Sequence, residues 1–149
     1  PRKAPYSIDE VIAAVASMHP AIEIPDSRYL NFVTAGAAQL IADNACAGYV
    51  VLGPATVADW RGHNLTRHPV TAHVNDKLAR EGSGENVLGD PRIALTWIAN
   101  ELSQVGDMLR RGETIITGTC IAPATIVAGD HVVADFGIFG RVETRLVSR

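Results

Sequence analysis

Cysteine is scarce: Cys46 and Cys120 are the only two in 149 residues. Both sit among small or apolar neighbours, without metal-ligand spacing, which excludes a thiolate metal site and reads as two buried thiols in a reducing cytoplasm. Whether they pair is open at this level. An excess of one charge is missing too. The net charge is −3 with scattered basic residues, so there is no basic nucleic-acid face and no polybasic membrane segment. No apolar run is long enough to cross a bilayer as a helix, no signal-peptide pattern stands out, and there is no internal repeat. A P-loop, a dinucleotide glycine fingerprint and a G-x-S-x-G elbow are all absent; Ser83, between Gly82 and Gly84, lacks the strand-to-helix context of a nucleophile. What remains is 47% hydrophobic, enough to bury a core, and residues 1–149 read as one domain.

Pro1-Arg2-Lys3-Ala4-Pro5 has no element of its own and reads as a processing or fragment boundary. An N-terminal proline amine can be a base, but that is the weaker reading here. Ser7-Ile8-Asp9-Glu10 is a capping box. Ile8, Val11, Ile12, Val15 and Met18 then form one helical face that His19-Pro20 ends. Ile22-Glu23-Ile24 is an apolar-acid-apolar step, a short strand with Glu23 opposite its neighbours, and Pro25 ends it. A carboxylate on a stiff strand beside a turn suits ligation; a solvated Glu23 and a surface Asp26/Arg28 pair is the plainer account.

Residues 36–44 read as a small-residue helix broken by Asp43-Asn44, and Tyr49-Val50-Val51-Leu52 as a buried strand closed by Gly53-Pro54. Trp60 anchors the polar loop from Thr56 to Arg67. Residues 69–74 alternate as a strand, Asn75-Asp76 turns, and 77–81 complete a hairpin. Gly82-Ser83-Gly84 and Gly89 mark a flexible passage. Asp90-Pro91 opens the longest helix, with Ile93, Ala94, Trp97, Ile98, Leu102 and Val105 on its core face and Gly106 as its stop. Thr114-Ile115-Ile116 runs as a strand into Thr117-Gly118-Thr119. Residues 131–135 and 141–147 are strands joined by Phe136–Gly140. The sum is an α+β fold: a mixed, mainly antiparallel sheet system with a few helices.

His63, His68 and His73 fall five apart on a loop and a strand, on different faces, so no histidine metal motif forms. Thr117-Gly118-Thr119 offers hydroxyls and backbone N–H groups at a strand end, suited to a carboxylate or enolate oxygen. Taken alone, an ordinary strand end is the commoner meaning.

In order, Pro20-Ala21-Ile22-Glu23-Ile24-Pro25-Asp26-Ser27-Arg28, Ala42-Asp43-Asn44-Ala45-Cys46-Ala47-Gly48, Val87-Leu88-Gly89-Asp90-Pro91, Gly112-Glu113-Thr114-Ile115-Ile116-Thr117-Gly118-Thr119 and Ala128-Gly129-Asp130-His131 resemble the 2-keto-4-pentenoate hydratases. This is the hydratase/4-oxalocrotonate decarboxylase branch of the fumarylacetoacetase superfamily, and the likeness runs from about Pro20 to the C-terminus. It implies a β-roll fold like that of the fumarylacetoacetase C-terminal domain. It also implies Mg²⁺ or Mn²⁺ held by three carboxylates, two from a Glu-x-Glu motif and the third Glu23, with Asn44 and Thr119 on substrate oxygens. The implied substrate is a small 2-oxo or 2-hydroxy-dienoic acid from aromatic catabolism. Water addition, decarboxylation, C–C hydrolysis and a non-catalytic subunit paired with an active homologue all stay open. No Glu-x-Glu occurs in this sequence, and family members are longer. The expectation is a C-terminal catalytic part that works as a homo-oligomer, or in a hetero-complex that completes it.

Overall fold

A computed structural model describes residues 4–148; Pro1 lies outside them. Among the described residues, three α-helices accompany six strands that form two antiparallel sheets. The expected α+β, mainly antiparallel architecture is the one observed.

Helix α1 (Ile8–Ala14) starts on the capping box: the Ser7 hydroxyl accepts from the Glu10 N–H, and the Glu10 carboxylate accepts from the Ser7 N–H at 2.8 Å. The helix ends a turn earlier than its apolar face suggests. Val15 is already extended (φ −77°, ψ 122°), and its carbonyl accepts from the Arg61 guanidinium at 2.5 Å. The apolar face still does its work from an extended chain. Ile12, Val15 and Met18 all pack on the core cluster of Trp60, Leu65 and Phe139. Trp60 is thus the anchor its loop lacked elsewhere.

Strand β1 (Ala21–Ile24) pairs antiparallel with β2 (Tyr49–Leu52) in a two-stranded ribbon. Helix α2 (Ala37–Ala42) lies between them in sequence. Contrary to the expected buried strand, Tyr49, Val50 and Leu52 are exposed, each by roughly half (58%, 46% and 47%). A four-residue apolar run gives no signal of whether a second layer covers it.

The second sheet has the order β4-β3-β5-β6. Strands β3 (Pro69–Val74) and β4 (Lys77–Ser83) form the expected hairpin through Asn75 and Asp76, both at positive φ (51° and 64°), as a tight primed turn requires. Strands β5 (His131–Asp135) and β6 (Arg141–Arg145) complete it. Val70, Ala72, Val132, Ala134 and Val142 are buried at every second position, the one-sided pattern of a half-covered sheet. The passage through Gly82 and Gly84 is tight rather than flexible. A Cβ on Gly82 would run into the Cys120 carbonyl, and one on Gly84 into the Leu65 carbonyl. These glycines permit close backbone approach.

Helix α3 (Pro91–Gln104) is capped by the Asp90 carboxylate, which accepts from the Arg92 N–H at 2.8 Å. Its burial differs from the expected face. Ala94 and Thr96 are buried, whereas Ile93, Trp97 and Val105 are exposed. The Thr96 hydroxyl donates back to the Arg92 carbonyl, which lets a polar residue sit inside. Residues 114–120 are not a strand. They are irregular, and Cys120 lies against β4 at Gly82, its carbonyl accepting from the Asn86 amide at 2.7 Å.

Candidate functional site

Glu23 is exposed on β1, directly across from Val50. Period two puts Glu23, Val50, Ala21 and Leu52 on one face of the ribbon. So the carboxylate projects from a stiff strand, as its sequence position suggested, with apolar neighbours and no second carboxylate on that face.

Behind it the chain makes a clamp. Asp43 is only 3% exposed. Its carboxylate accepts from the Ser27 hydroxyl at 2.7 Å and from the Arg28 N–H at 3.2 Å. The Arg28 guanidinium lies 3.3 Å from the same carboxylate. Its two terminal nitrogens also donate to the carbonyls of Asp43 (2.8 Å) and Ala47 (3.1 Å). The Ser27 hydrogen bond, followed by the N–H and charge of Arg28, holds the Asp43 carboxyl below the usual aspartate range, against desolvation acting the other way. Arg28 therefore pairs with Asp43 rather than forming the surface pair with Asp26. Separations of 15 residues give no sequence signal for such a bond.

Between the carbonyls that Arg28 grips, Asn44, Ala45 and Cys46 stand in succession at positive φ (52°, 54° and 61°). Such conformations are costly for residues with a Cβ and persist only where surroundings over-determine them. The Asp26 N–H donates to the Cys46 carbonyl at 2.8 Å, tying this hook to the end of β1. Gly48 allows that approach, since a Cβ there would collide with the Ile24 carbonyl. A shallow cleft of about 220 Å³ lies against the junction, lined by Asp26, Ser27, Arg28, Ala47, Gly48 and Tyr49. The segments bearing Glu23 and Asn44 are thus brought together.

Thr119 is engaged elsewhere. Its hydroxyl donates to the Ile121 carbonyl at 2.7 Å and accepts from the Ile121 N–H at 3.3 Å. Within the described residues no hydrogen bond links it to Glu23 or Asn44. Burial pushes the neighbouring Cys120 thiol up; Cys120 and Cys46 are both free and half-buried. The histidines depart from expectation. His63 and His68 meet, with Nε2 and Nδ1 3.0 Å apart, and His68 Nε2 donates to the Phe136 carbonyl at 2.7 Å. Both rings pack against Phe139, so the loop folds over the sheet and the five-residue spacing does not separate them. Among the described residues, no three His, Cys, Asp or Glu side chains are grouped so as to hold a metal ion.

Residues 2–147 match the model of the fumarylacetoacetate (FAA) hydrolase C-terminal family. The chain belongs to that family. Among the FAA hydrolase relatives, 4-oxalocrotonate decarboxylase of Pseudomonas putida is 31% identical over 140 residues, 94% of this chain and 52% of the relative. A 2-keto-4-pentenoate hydratase of Paraburkholderia xenovorans (strain LB400) is 32% identical over 143 residues, 93% of this chain and 51% of the relative. Two solved structures of 4-oxalocrotonate decarboxylase from Pseudomonas putida G7 share the fold. The one complexed with magnesium and adipate has a TM-score of 0.87 at 29% identity, covering 99% of this chain and 56% of the other. The one complexed with calcium and acetate has a TM-score of 0.84 at 27% identity, covering 97% and 54%. The chain spans about half the length of the curated relatives it matches. The resemblance read from the motifs is therefore confirmed at the level of family and fold. No helix of the described residues is long and apolar enough to cross a membrane.

Proposed function

We propose that this chain is the C-terminal catalytic part of a metal-dependent lyase, a hydratase that adds water to a 2-hydroxy-2,4-dienoate such as 2-hydroxypenta-2,4-dienoate. The observation that carries the reading is the family membership joined to an exposed strand carboxylate, Glu23, tied to the Asp43–Asn44 hook. A second reading, decarboxylation of a 4-oxalocrotonate-type 2-oxo acid, is favoured by the decarboxylases among both the relatives and the solved structures. An acylpyruvate-type C–C hydrolase on the same scaffold, or a non-catalytic subunit beside an active homologue, completes the set. Hydration and decarboxylation share one demand: charge developing on the oxygen next to the substrate carboxylate must be stabilised.

Mg²⁺ or Mn²⁺ would supply that stabilisation as a Lewis acid. The described residues do not fit such an ion by themselves, because Glu23 stands alone and hard cations take six or more oxygens with several carboxylates. In this reading Glu23 is one ligand and the others come from polypeptide beyond the described residues. Asn44 and Thr119 are the candidate contacts to substrate oxygens, Asn44 through its amide and Thr119 through its hydroxyl once released from Ile121.

Surface area supports an incomplete unit. The chain exposes 10102 Å², whereas a folded monomer of its 15.9 kDa exposes about 7,400 Å². The excess has the size of an obligate interface, and the exposed apolar residues of β2 and α3 contribute to the total. In this proposal residues 1–149 form one domain that works in a homo-oligomer or a hetero-complex, in the cytoplasm, on a small dienoic acid. The test is a steady-state assay on 2-hydroxypenta-2,4-dienoate and 4-oxalocrotonate with Mg²⁺ or Mn²⁺. The chain alone is expected to be inactive. Adding the part of a relative that it does not span should restore turnover. An assembly that turns over neither substrate refutes the proposal.

A further inference from the structure

We infer that Asp43 is a positioning residue that sets Asn44 for substrate, through a clamp joining two sequence motifs; the role rests on the reading of Asn44 given above. Three independent features converge on it. Asp43 is a nearly inaccessible carboxylate that accepts three hydrogen bonds, all from Ser27 and Arg28. Buried carboxylates persist only where their acceptors are filled, so the Asp-Ser-Arg segment exists in large part to receive this one. Next, Arg28 reaches past the carboxylate to the carbonyls of Asp43 and Ala47, the two ends of the hook. A planar fork that grips both ends fixes their separation, which the single charge of lysine would not do. Finally, the three residues between those carbonyls are all left-handed. Released, they would relax toward ordinary conformations, turning the Asn44 amide away. The clamp thus holds strain next to the strand that bears Glu23, a place where strain serves pre-organisation.

Two hydrogen bonds inside the hook report on the clamp: the Cys46 N–H to the Asp43 carbonyl and the Ala47 N–H to the Asn44 carbonyl, both 3.1 Å. The experiment measures amide hydrogen exchange on the full chain for wild type, Asp43→Asn and the milder Ser27→Ala. In the assembly completed by the part of a relative that this chain does not span, it also measures affinity for the probe 2-oxopentanoate, in the presence of Mg²⁺, for wild type, Asp43→Asn, Asn44→Ala and the double variant. The Cys46 and Ala47 amides are expected to lose at least about tenfold in protection in Asp43→Asn, and less in Ser27→Ala. The amides of the β3–β5 ladder should stay unchanged. Asp43→Asn should weaken the probe about as much as Asn44→Ala, and the double variant should be no worse than either. Should Asp43→Asn not fold, Ser27→Ala carries the same comparison at smaller amplitude. Retained protection at Cys46 and Ala47, or additive losses in the double variant, overturns the positioning role while leaving the proposed function standing. A wild-type assembly that does not bind 2-oxopentanoate removes that function, and the role with it.

Discussion

Replacing Gly48 by alanine probes the junction of β1 with the hook more sharply than any charge change. The added methyl group would sit against the Ile24 carbonyl at a separation no real Cβ tolerates, with the Asp26 Cβ only 3.1 Å away. Neither neighbour is the free end of a flexible side chain, so the strand itself must move. Over-packing of this kind costs about 1–3 kcal/mol. Moving the strand also breaks the bond from the Asp26 N–H to the Cys46 carbonyl, worth about 1 kcal/mol. Together that is roughly 2–4 kcal/mol. At about 2–4 °C per kcal/mol for a domain of this size, the midpoint of thermal unfolding should fall by roughly 5–15 °C. Gly36→Ala is the control. A Cβ there meets nothing closer than the Gln39 side-chain oxygen at 3.6 Å, so only the small cost of changing an N-cap glycine is expected, a few tenths of a kcal/mol or more. Circular dichroism melts of the two variants decide the matter. Equal midpoints would refute the steric account of why glycine follows Ala47.

Asp90 should contribute acid-sensitive stability. Its hydrogen bond with the Arg92 side chain holds its carboxyl below the usual range, so its stabilisation is present above the unfolded value of about 3.9 and is lost as pH falls through the lower folded one. Asp90→Ala, which removes the α3 cap, should cost about 1 kcal/mol at pH 7, and urea melts of the two proteins should converge toward pH 2. A difference that persists undiminished in acid would contradict the ionised cap. Thr119→Val keeps shape and removes the hydroxyl. In the completed assembly it should weaken 2-oxo acid binding, with metal affinity unchanged, and it should cost about 1 kcal/mol for the lost Ile121 bond. Equal loss of both affinities would mark Thr119 as structural.

The elements legible in the sequence are those specified by contiguous residues. The Ser7–Glu10 box, the Asn75-Asp76 turn, the Asp90-Pro91 start and the alternation at 131–135 each carry their own geometry, and each is where the spacing put it. What escaped depends on distant partners. The Arg61 side chain takes the Val15 carbonyl across 46 residues. The β-branched run at 114–116 finds no ladder to join and stays irregular. Trp97 sits at a core-face position of α3, yet the described chain leaves it 56% exposed. At the site, Glu23 and the Asp43–Asn44 break were visible, because a carboxylate between two isoleucines and a small-residue helix with a polar stop are local patterns. The Asp43–Arg28 clamp was not, since only the pairing of β1 with β2 brings its halves together.

The account turns on Glu23 more than on any other residue, and one substitution addresses it. Glu23→Gln removes a charge from an exposed position facing Val50 without changing shape, so the thermal midpoint should stay within about 1 °C of wild type. In the assembly completed by the part of a relative this chain does not span, turnover of 2-hydroxypenta-2,4-dienoate should vanish and Mn²⁺ binding should weaken, because one carboxylate of the site is gone. Unchanged turnover and Mn²⁺ affinity in that variant would contradict the account.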